Sequence, residues 1–293
     1  MRSWLSTESS QDSFELTLSQ QQLSNLISPL TAAAETAVLE VRNDELTVHA
    51  IDTKRVRAVT TTLPAASCHQ YTGTPCQLAF DPTVMDAAMS GATASSPGSA
   101  EVTLSYPGDE GALSIVSQSI TQTQPVEPDP EQALPTQTAW PESATVHHQS
   151  NTLAAVCEYF TTVTEMVSIA YDVSESAFRI ESVPRSAEES TTETATAVYE
   201  RSATDLPGET TAVSASATFY TSVLHEAVAT IPENIRVSID IVPDHPLRLR
   251  WVPSATAQTE VDVEAATLIA PCDVTAEEEA EATFGWIRRS LLS

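Results

Sequence analysis

Apolar residues recur along this 293-residue chain with two periods, one helical and one of strands, and the helical period appears four times. After Ser19, whose hydroxyl suits a helix N-cap, Leu23, Leu26, Ile27 and Leu30 follow at i, i+3, i+4 and i+7. Asp81 caps a second helix with Pro82 at its first position. Val84, Met85 and Ala88 form its apolar stripe, and Gly91 is placed to end it. A third helix is expected from near Ser150, burying Leu153, Val156, Cys157 and Phe160. A fourth covers Thr218 to Thr230, with Leu224, Val228 and Ile231 on one face and Pro232 as its stop.

Between the helices lie short runs that alternate or are rich in β-branched residues. In the first half these are Thr36–Val41, Leu46–Ala50, Ala58–Leu63, Glu101–Ser105 and Leu113–Ser117. In the second they are Val167–Tyr171, Ala177–Glu181, Thr194–Tyr199, Arg236–Ile241 and Leu247–Trp251. Turn residues separate them, Asn43-Asp44 early and Pro107-Gly108-Asp109 later. Each half therefore reads as helix, about three strands, helix and a closing group of strands. Between the halves, Gln124–Pro141 holds prolines at 125, 128, 130, 135 and 141, which exclude helix and central strand. Its large apolar residues are Leu134 and Trp140. The expected division is a flexible extension 1–13, a domain 14–123, the connector 124–141, a second domain 142–275 and a tail 276–293. That tail is an acidic run followed by Phe284, Ile287 and Leu291, which share a face if it is helical. Packing on its own domain, docking on a partner and disorder are all open to it.

Composition narrows the function. Lys and Arg total 13 against 40 Asp and Glu, a formal charge of −27, and Lys54 is the only lysine. Only seven glycines are present, and GxSxG, HExxH and P-loop motifs are missing. The four cysteines, Cys68, Cys76, Cys157 and Cys272, form no CxxC pair, and the adjacent His147 and His148 lack a spaced third ligand. No catalytic residue, metal site or cofactor is expected, so the chain reads as a non-enzyme. No apolar run is long enough to span a membrane, and residues 1–13 lack the apolar stretch of a signal peptide. With 41% apolar residues in clear periods, disorder is a poor account of the acidity. A protein built for molar salt is a better one, because there the Debye length falls to roughly 3 Å and carboxylates repel little. A cytoplasmic protein of a salt-loving microbe or of its virus is the corresponding expectation.

The doubled order resembles the proliferating cell nuclear antigen family of sliding clamps, in a divergent, halophile-like form. In the first half the resemblance rests on Leu39-Glu-Val-Arg-Asn-Asp-Glu-Leu-Thr-Val-His-Ala-Ile-Asp52, and in the connector on Glu131-Gln-Ala-Leu-Pro135. In the second half it rests on Phe219 to Pro232, Val237-Ser-Ile-Asp-Ile241, Pro246-Leu-Arg-Leu-Arg-Trp251 and Leu268-Ile-Ala-Pro271. It runs roughly from Phe14 to Val274. It implies an α+β DNA-clamp fold, two similar domains each with two helices packed on antiparallel sheets. It further implies a ring, a homotrimer by default though a mixed ring is open, that encircles duplex DNA and acts as a processivity factor in DNA replication. Such a ring tethers DNA polymerase, the clamp loader and other proteins carrying clamp-binding peptides, in the nucleoid of an archaeal or archaeal-virus-infected cell.

By the same resemblance, partner peptides are bound by Ile51, Val56, Ala58, Leu134, Pro246, Leu268, Ala270 and Pro271. The subunit interface falls on about Val116–Thr123 and Ala195–Ser202, with Val116, Ile120, Val198 and Tyr199 as its apolar residues. One feature departs from the family: none of the four expected helices carries Lys or Arg, and His225 is the only candidate cation facing DNA. Phosphate binding ordinarily needs such cations. A closed ring in molar salt dispenses with them. Alternatively, the chain is a clamp-like protein-interaction module that no longer binds DNA and pairs or competes with another clamp.

Overall fold

The computed structural model describes residues 13–92, 100–107, 111–117, 120–128, 130, 140–183, 197–207, 213–243, 245–253 and 263–272. They form two compact units. The first takes the described residues within Met1–Ser28, Glu35–Val48 and Thr62–Ala133, the second those within Pro29–Ala34, His49–Thr61 and Leu134–Ser293. In chain order the elements begin with β1 (Phe14–Ser19), α1 (Gln20–Thr31), β2 (Ala37–Val41), β3 (Glu45–Ile51), β4 (Arg57–Pro64) and β5 (Gln70–Gly73). Next come β6 (Cys76–Phe80), α2 (Pro82–Ala92), β7 (Glu101–Tyr106), β8 (Leu113–Ser117), β9 (Ile120–Gln124) and β10 (Glu127–Pro128). The second half supplies β11 (Ala144–Gln149), α3 (Ser150–Val163), β12 (Met166–Asp172), β13 (Ala177–Ser182), β14 (Val198–Ser202) and β15 (Ala215–Tyr220). It closes with α4 (Thr221–Ala229), β16 (Arg236–Ile241), β17 (Leu247–Trp251) and β18 (Glu264–Ile269).

The strand order repeats. In the first half, β1-β7-β8-β9 and β6-β2-β3-β4 are runs of neighbours; in the second, β11-β16-β17-β18 and β15-β12-β13-β14 are. Helices follow the first strand of each half and precede its last three, so the class is α+β with antiparallel sheets. Two short additions sit at edges, β5 on β1 and β10 on β6. Pro128 is tolerated in β10 because an edge strand does not need every amide.

Local sequence explains the helix starts. Ser19 Oγ accepts from the Gln22 amide at 3.1 Å while Gln22 Oε1 accepts from the Ser19 amide at 2.8 Å, a reciprocal capping box. Asp81 accepts from the amides of Thr83 and Val84 at 2.8 and 3.3 Å, ahead of Pro82. The apolar stripes point inward: Leu23, Leu26, Ile27 and Leu30 are all buried, as are Leu153, Cys157, Phe160, Leu224 and Val228. In the second unit Phe160, Phe178 and Phe219 are the largest fully buried side chains. A β-sheet face fills the rest of that core, with Val237, Ile239, Ile241, Leu247, Leu249 and Ile269 alternating inward.

Three expectations need correction. The fourth helix begins at Thr221, not Thr218, because Ala215–Tyr220 pairs with β12 in register Phe219↔Val167. Its expected stripe residue Ile231 is buried beyond the helix end, where its amide donates to Val228 at 3.0 Å. Of the strand expected at Thr194–Tyr199, residues 194–196 lie outside the described residues; the described strand is Val198–Ser202, which runs past Tyr199 through pairing with β13 in register Ile180↔Tyr199. Strands β1, β5, β6, β9, β10, β11, β15 and β18 lie outside the runs that the pattern singles out.

Candidate functional site

The expected peptide-binding residues gather in the second unit where β4, β18 and β17 are neighbours. A tight turn leads from β3 into β4. The Asp52 carboxylate accepts from the amides of Val56 and Arg57 at 2.8 and 3.1 Å, and the Asp52 amide donates to the Arg57 carbonyl at 3.0 Å. Arg55 takes a left-handed conformation, φ 58°, to close the loop. The Ala270 amide then donates to the Val56 carbonyl at 2.9 Å, so the chain leaving β18 is tied to this turn. Ile51, Val56, Leu268 and Pro271 are half-buried, whereas Ala58, Pro246 and Ala270 are buried. Leu134 lies outside the described residues.

Next to them runs a row whose polar members lie outside that expected set. Thr145, Asp240, Arg248 and Leu268 face one another across β11, β16, β17 and β18. Asp240 is fully buried; Arg248 and Arg250 donate to its Oδ2 at 2.7 and 2.9 Å, and the Thr145 hydroxyl donates to Oδ1 at 2.8 Å. Burial alone opposes ionisation, but these hydrogen bonds and the two guanidinium charges outweigh it, holding Asp240 below the usual carboxylate range. The connector reaches the same row, since the ring of Trp140 lies 4.2 Å from the Arg248 guanidinium carbon. A contact of that kind stabilises by about 0.5–2 kcal/mol. The signal is visible in Leu-Arg-Leu-Arg-Trp and Ser-Ile-Asp-Ile, where charges alternate with core residues, but the partners are fixed only by register.

The interface residues fall at sheet edges with one exception. β9 and β14 each have a single neighbour among the described strands. Ile120 is on β9, and Val198 and Tyr199 are on β14, with Val198 52% exposed. Val116 sits one strand in, on β8, opposite Thr103 and Thr121. Tyr199 is anchored from behind: its hydroxyl meets His148 Nε2 at 2.8 Å and accepts from Arg201 Nε at 3.1 Å. His147 points the other way, to the Ser238 hydroxyl at 3.0 Å, so the adjacent histidines serve opposite faces. Arg179 ties β13 to β14 by donating to Glu200 at 2.6 Å and also pairs with Glu175.

The helix surfaces carry no basic side chain apart from His225, which is half-buried on α4; Asp86, Glu158 and Glu226 are their charged residues. Burial pushes the Cys157 thiol up to about 12 and the Cys68 thiol up to about 11, which favours the protonated form of these two. No helix among the described residues is long and apolar enough to cross a membrane.

By sequence, the chain matches no protein-family model and no curated protein. By structure it is similar to sliding clamps along most of its length. PCNA from Thermococcus kodakaraensis superposes with a TM-score of 0.69 at 18% identity, covering 88% of this chain and 100% of that one. A. fulgidus PCNA, in a structure with the C-terminal region of FEN-1 bound, gives 0.68 at 15% identity, over 89% of this chain and 98% of that chain. One chain of the Sulfolobus tokodaii PCNA2–PCNA3 complex gives 0.63 at 14% identity, over 88% and 98%.

Proposed function

Taking the PCNA sliding-clamp fold of this chain as the premise, we propose that it is the subunit of a ring that encircles duplex DNA and tethers replication and repair proteins. Its clamp domains are 14–123 and 142–275, joined by the connector 124–141, and it makes and breaks no bond itself. The observation that carries the reading is the repeat in strand order. β4 closes the run β6-β2-β3-β4 and β18 closes β11-β16-β17-β18, and these two strands are neighbours within the chain. Their counterparts in the repeat are β14 and β9, which have no such neighbour among the described strands. Pairing β9 of one copy with β14 of the next repeats the contact the chain already makes. It also covers edges that would otherwise invite unregulated pairing. Head-to-tail contacts of this kind close into a ring, here a homotrimer in the cytoplasm.

Partner proteins bind by a short peptide whose apolar plug sits over Ile51, Val56, Leu268 and Pro271, with Ala58, Pro246 and Ala270 beneath and Leu134 from the connector. The benefit is geometric: a partner held to a threaded ring stays at high effective concentration beside its template.

A second reading is favoured by the helix surfaces, which offer DNA no lysine or arginine. On that reading the chain is a clamp-like interaction module that binds proteins and pairs with another clamp. Light scattering in molar salt, followed by polymerase extension on a long primed template, separates the two. A trimer that lengthens products supports the DNA clamp; a species of one or two subunits that binds clamp peptides without lengthening products supports the module.

A further inference from the structure

We propose that the acidic run Glu277–Glu281 of the chain's own C-terminal segment docks on the Lys54–Arg55 turn and lays the following apolar residues over the peptide-binding face. The intramolecular docking stands on its own; its role as a competitor for partners rests on the function proposed above.

Four observations meet at this turn. First, it is the one place where this acidic chain presents its only lysine: Thr53, Lys54 and Arg55 are all exposed. Arg57, by contrast, is buried and donates to the Ala32 carbonyl at 2.7 Å. Second, the turn is fixed in shape, because Asp52 uses its carboxylate on the amides of Val56 and Arg57. The cations are therefore presented from a loop of fixed shape. Third, the turn is hydrogen-bonded to the exit of β18 through Val56 and Ala270. The last described residue, Cys272, is two positions further on and is itself held by its amide on the Thr218 carbonyl at 2.7 Å. Fourth, the chain that continues from Cys272 holds Glu277, Glu278, Glu279 and Glu281 and then Phe284, Trp286 and Ile287. An acidic stretch followed by bulky apolar residues is the complement of a basic turn beside a half-buried apolar face.

The distances allow it. Glu277 lies five positions after Cys272, a reach of about 17 Å at roughly 3.4 Å per residue, ample for a return to a turn tied to Ala270. So short a tether sets an effective concentration in the millimolar range, so contacts too weak to hold a free peptide suffice within the chain. A partner then has to displace the tail. The ion pairs are exposed and weaken as salt shortens the Debye length from about 10 Å at a tenth molar to about 3 Å at one molar, so salt relaxes the block.

Because Lys54 is the only lysine, zero-length carbodiimide coupling tests this in the full-length protein. Besides the amino terminus, any amide it forms must involve Lys54, and digestion with mass spectrometry reads which carboxylate it has joined. The expected products at a tenth molar salt link Lys54 to Glu277, Glu278, Glu279 or Glu281, and they diminish in molar salt. Mixing isotopically light and heavy protein should give unmixed crosslinks only. Mixed crosslinks, or amides to carboxylates outside the tail, overturn the proposal. The full-length variant with these four glutamates changed to glutamine should bind a neutral peptide with an apolar plug about tenfold more tightly, the factor expected of a millimolar internal competitor whose own dissociation constant is about a tenth of that concentration. Equal affinity of the two proteins overturns the competition. A peptide that binds neither protein counts against the partner face itself, and the crosslink still decides the docking.

Discussion

The Nε2 atom of His148 lies 2.8 Å from the hydroxyl oxygen of Tyr199, and the direction of that hydrogen bond follows from its neighbours. Arg201 donates to the same oxygen at 3.1 Å, so the tyrosine gives its own proton to Nε2. His148 is then the neutral tautomer that donates from Nδ1 to the Gln149 carbonyl at 3.2 Å. Burial holds its pKa below the ordinary value and the Arg201 charge adds to this, against the opposing Gln149 contact. A histidine with a depressed folded pKa binds fewer protons folded than unfolded. Its contribution is therefore complete above about pH 6.5 and is lost as pH falls through that unfolded value. The urea midpoint should fall between pH 7 and 5, and His148→Gln should flatten that fall. His147, also lowered by burial, supplies what slope remains. An unchanged slope in the variant would assign the proton uptake elsewhere.

What the sequence revealed and what it withheld divide along physical lines. The four helices are legible because their stripes are periodic, and α1 and α2 also because their caps are local: Ser19 with Gln22, and Asp81 with Thr83, act within one turn. For β14 the pairing of Tyr199 with Ile180 fixes the register, and that partner is not readable from local sequence. Thr218–Tyr220 reads as the start of the fourth helix, and only the pairing of Phe219 with Val167 assigns it to β15. At the site, the apolar residues came from family resemblance, and the structure gathers those it describes around Val56 and Ala270. Asp240 was missed because its two arginine partners are known only from the ladder that sets it opposite Arg248.

Asp240→Ala should be among the most damaging single changes in the second unit. It leaves Arg248 and Arg250 without their buried carboxylate and removes one hydrogen bond of the Thr145 hydroxyl. Removing one partner of a buried pair costs about 3–5 kcal/mol, which urea unfolding would read directly. A loss near that of an exposed pair, about 0–1 kcal/mol, would mean the cluster is solvated.

Gly73 is the corresponding test in the first unit. Its φ is +147°, and a Cβ there would lie 2.5 Å from the Phe14 Cβ across the β1–β5 pair. Gly73→Ala should destabilise by about 1–3 kcal/mol through strain and displacement of β5. A thermal midpoint equal to wild type would show that the edge shifts freely.

For the partner face, Ile51→Asp places a carboxylate among half-buried apolar residues at the end of β3. Binding of an apolar-plug peptide by titration calorimetry should weaken at least tenfold, the scale of an interface anchor, with little change in the unfolding midpoint. Unaltered affinity would remove Ile51 from the site.

Edge pairing and salt give the last prediction. Each subunit carries a formal charge of −27, so association brings large like charges together. At molar ionic strength the Debye length is about 3 Å and the repulsion is confined to contacts. At a tenth molar it reaches about 10 Å and acts across a subunit interface. Association through β9 and β14 gains apolar burial from residues such as Val198, exposed on the free edge, and that gain is much the same in both conditions. The balance therefore tips with salt, and light scattering should find a trimer in molar salt that dissociates at a tenth molar. Val198→Asp should shift the dissociation to higher salt, since it removes apolar contact and adds a charge at the seam. A trimer indifferent to both changes would place the contact on other strands.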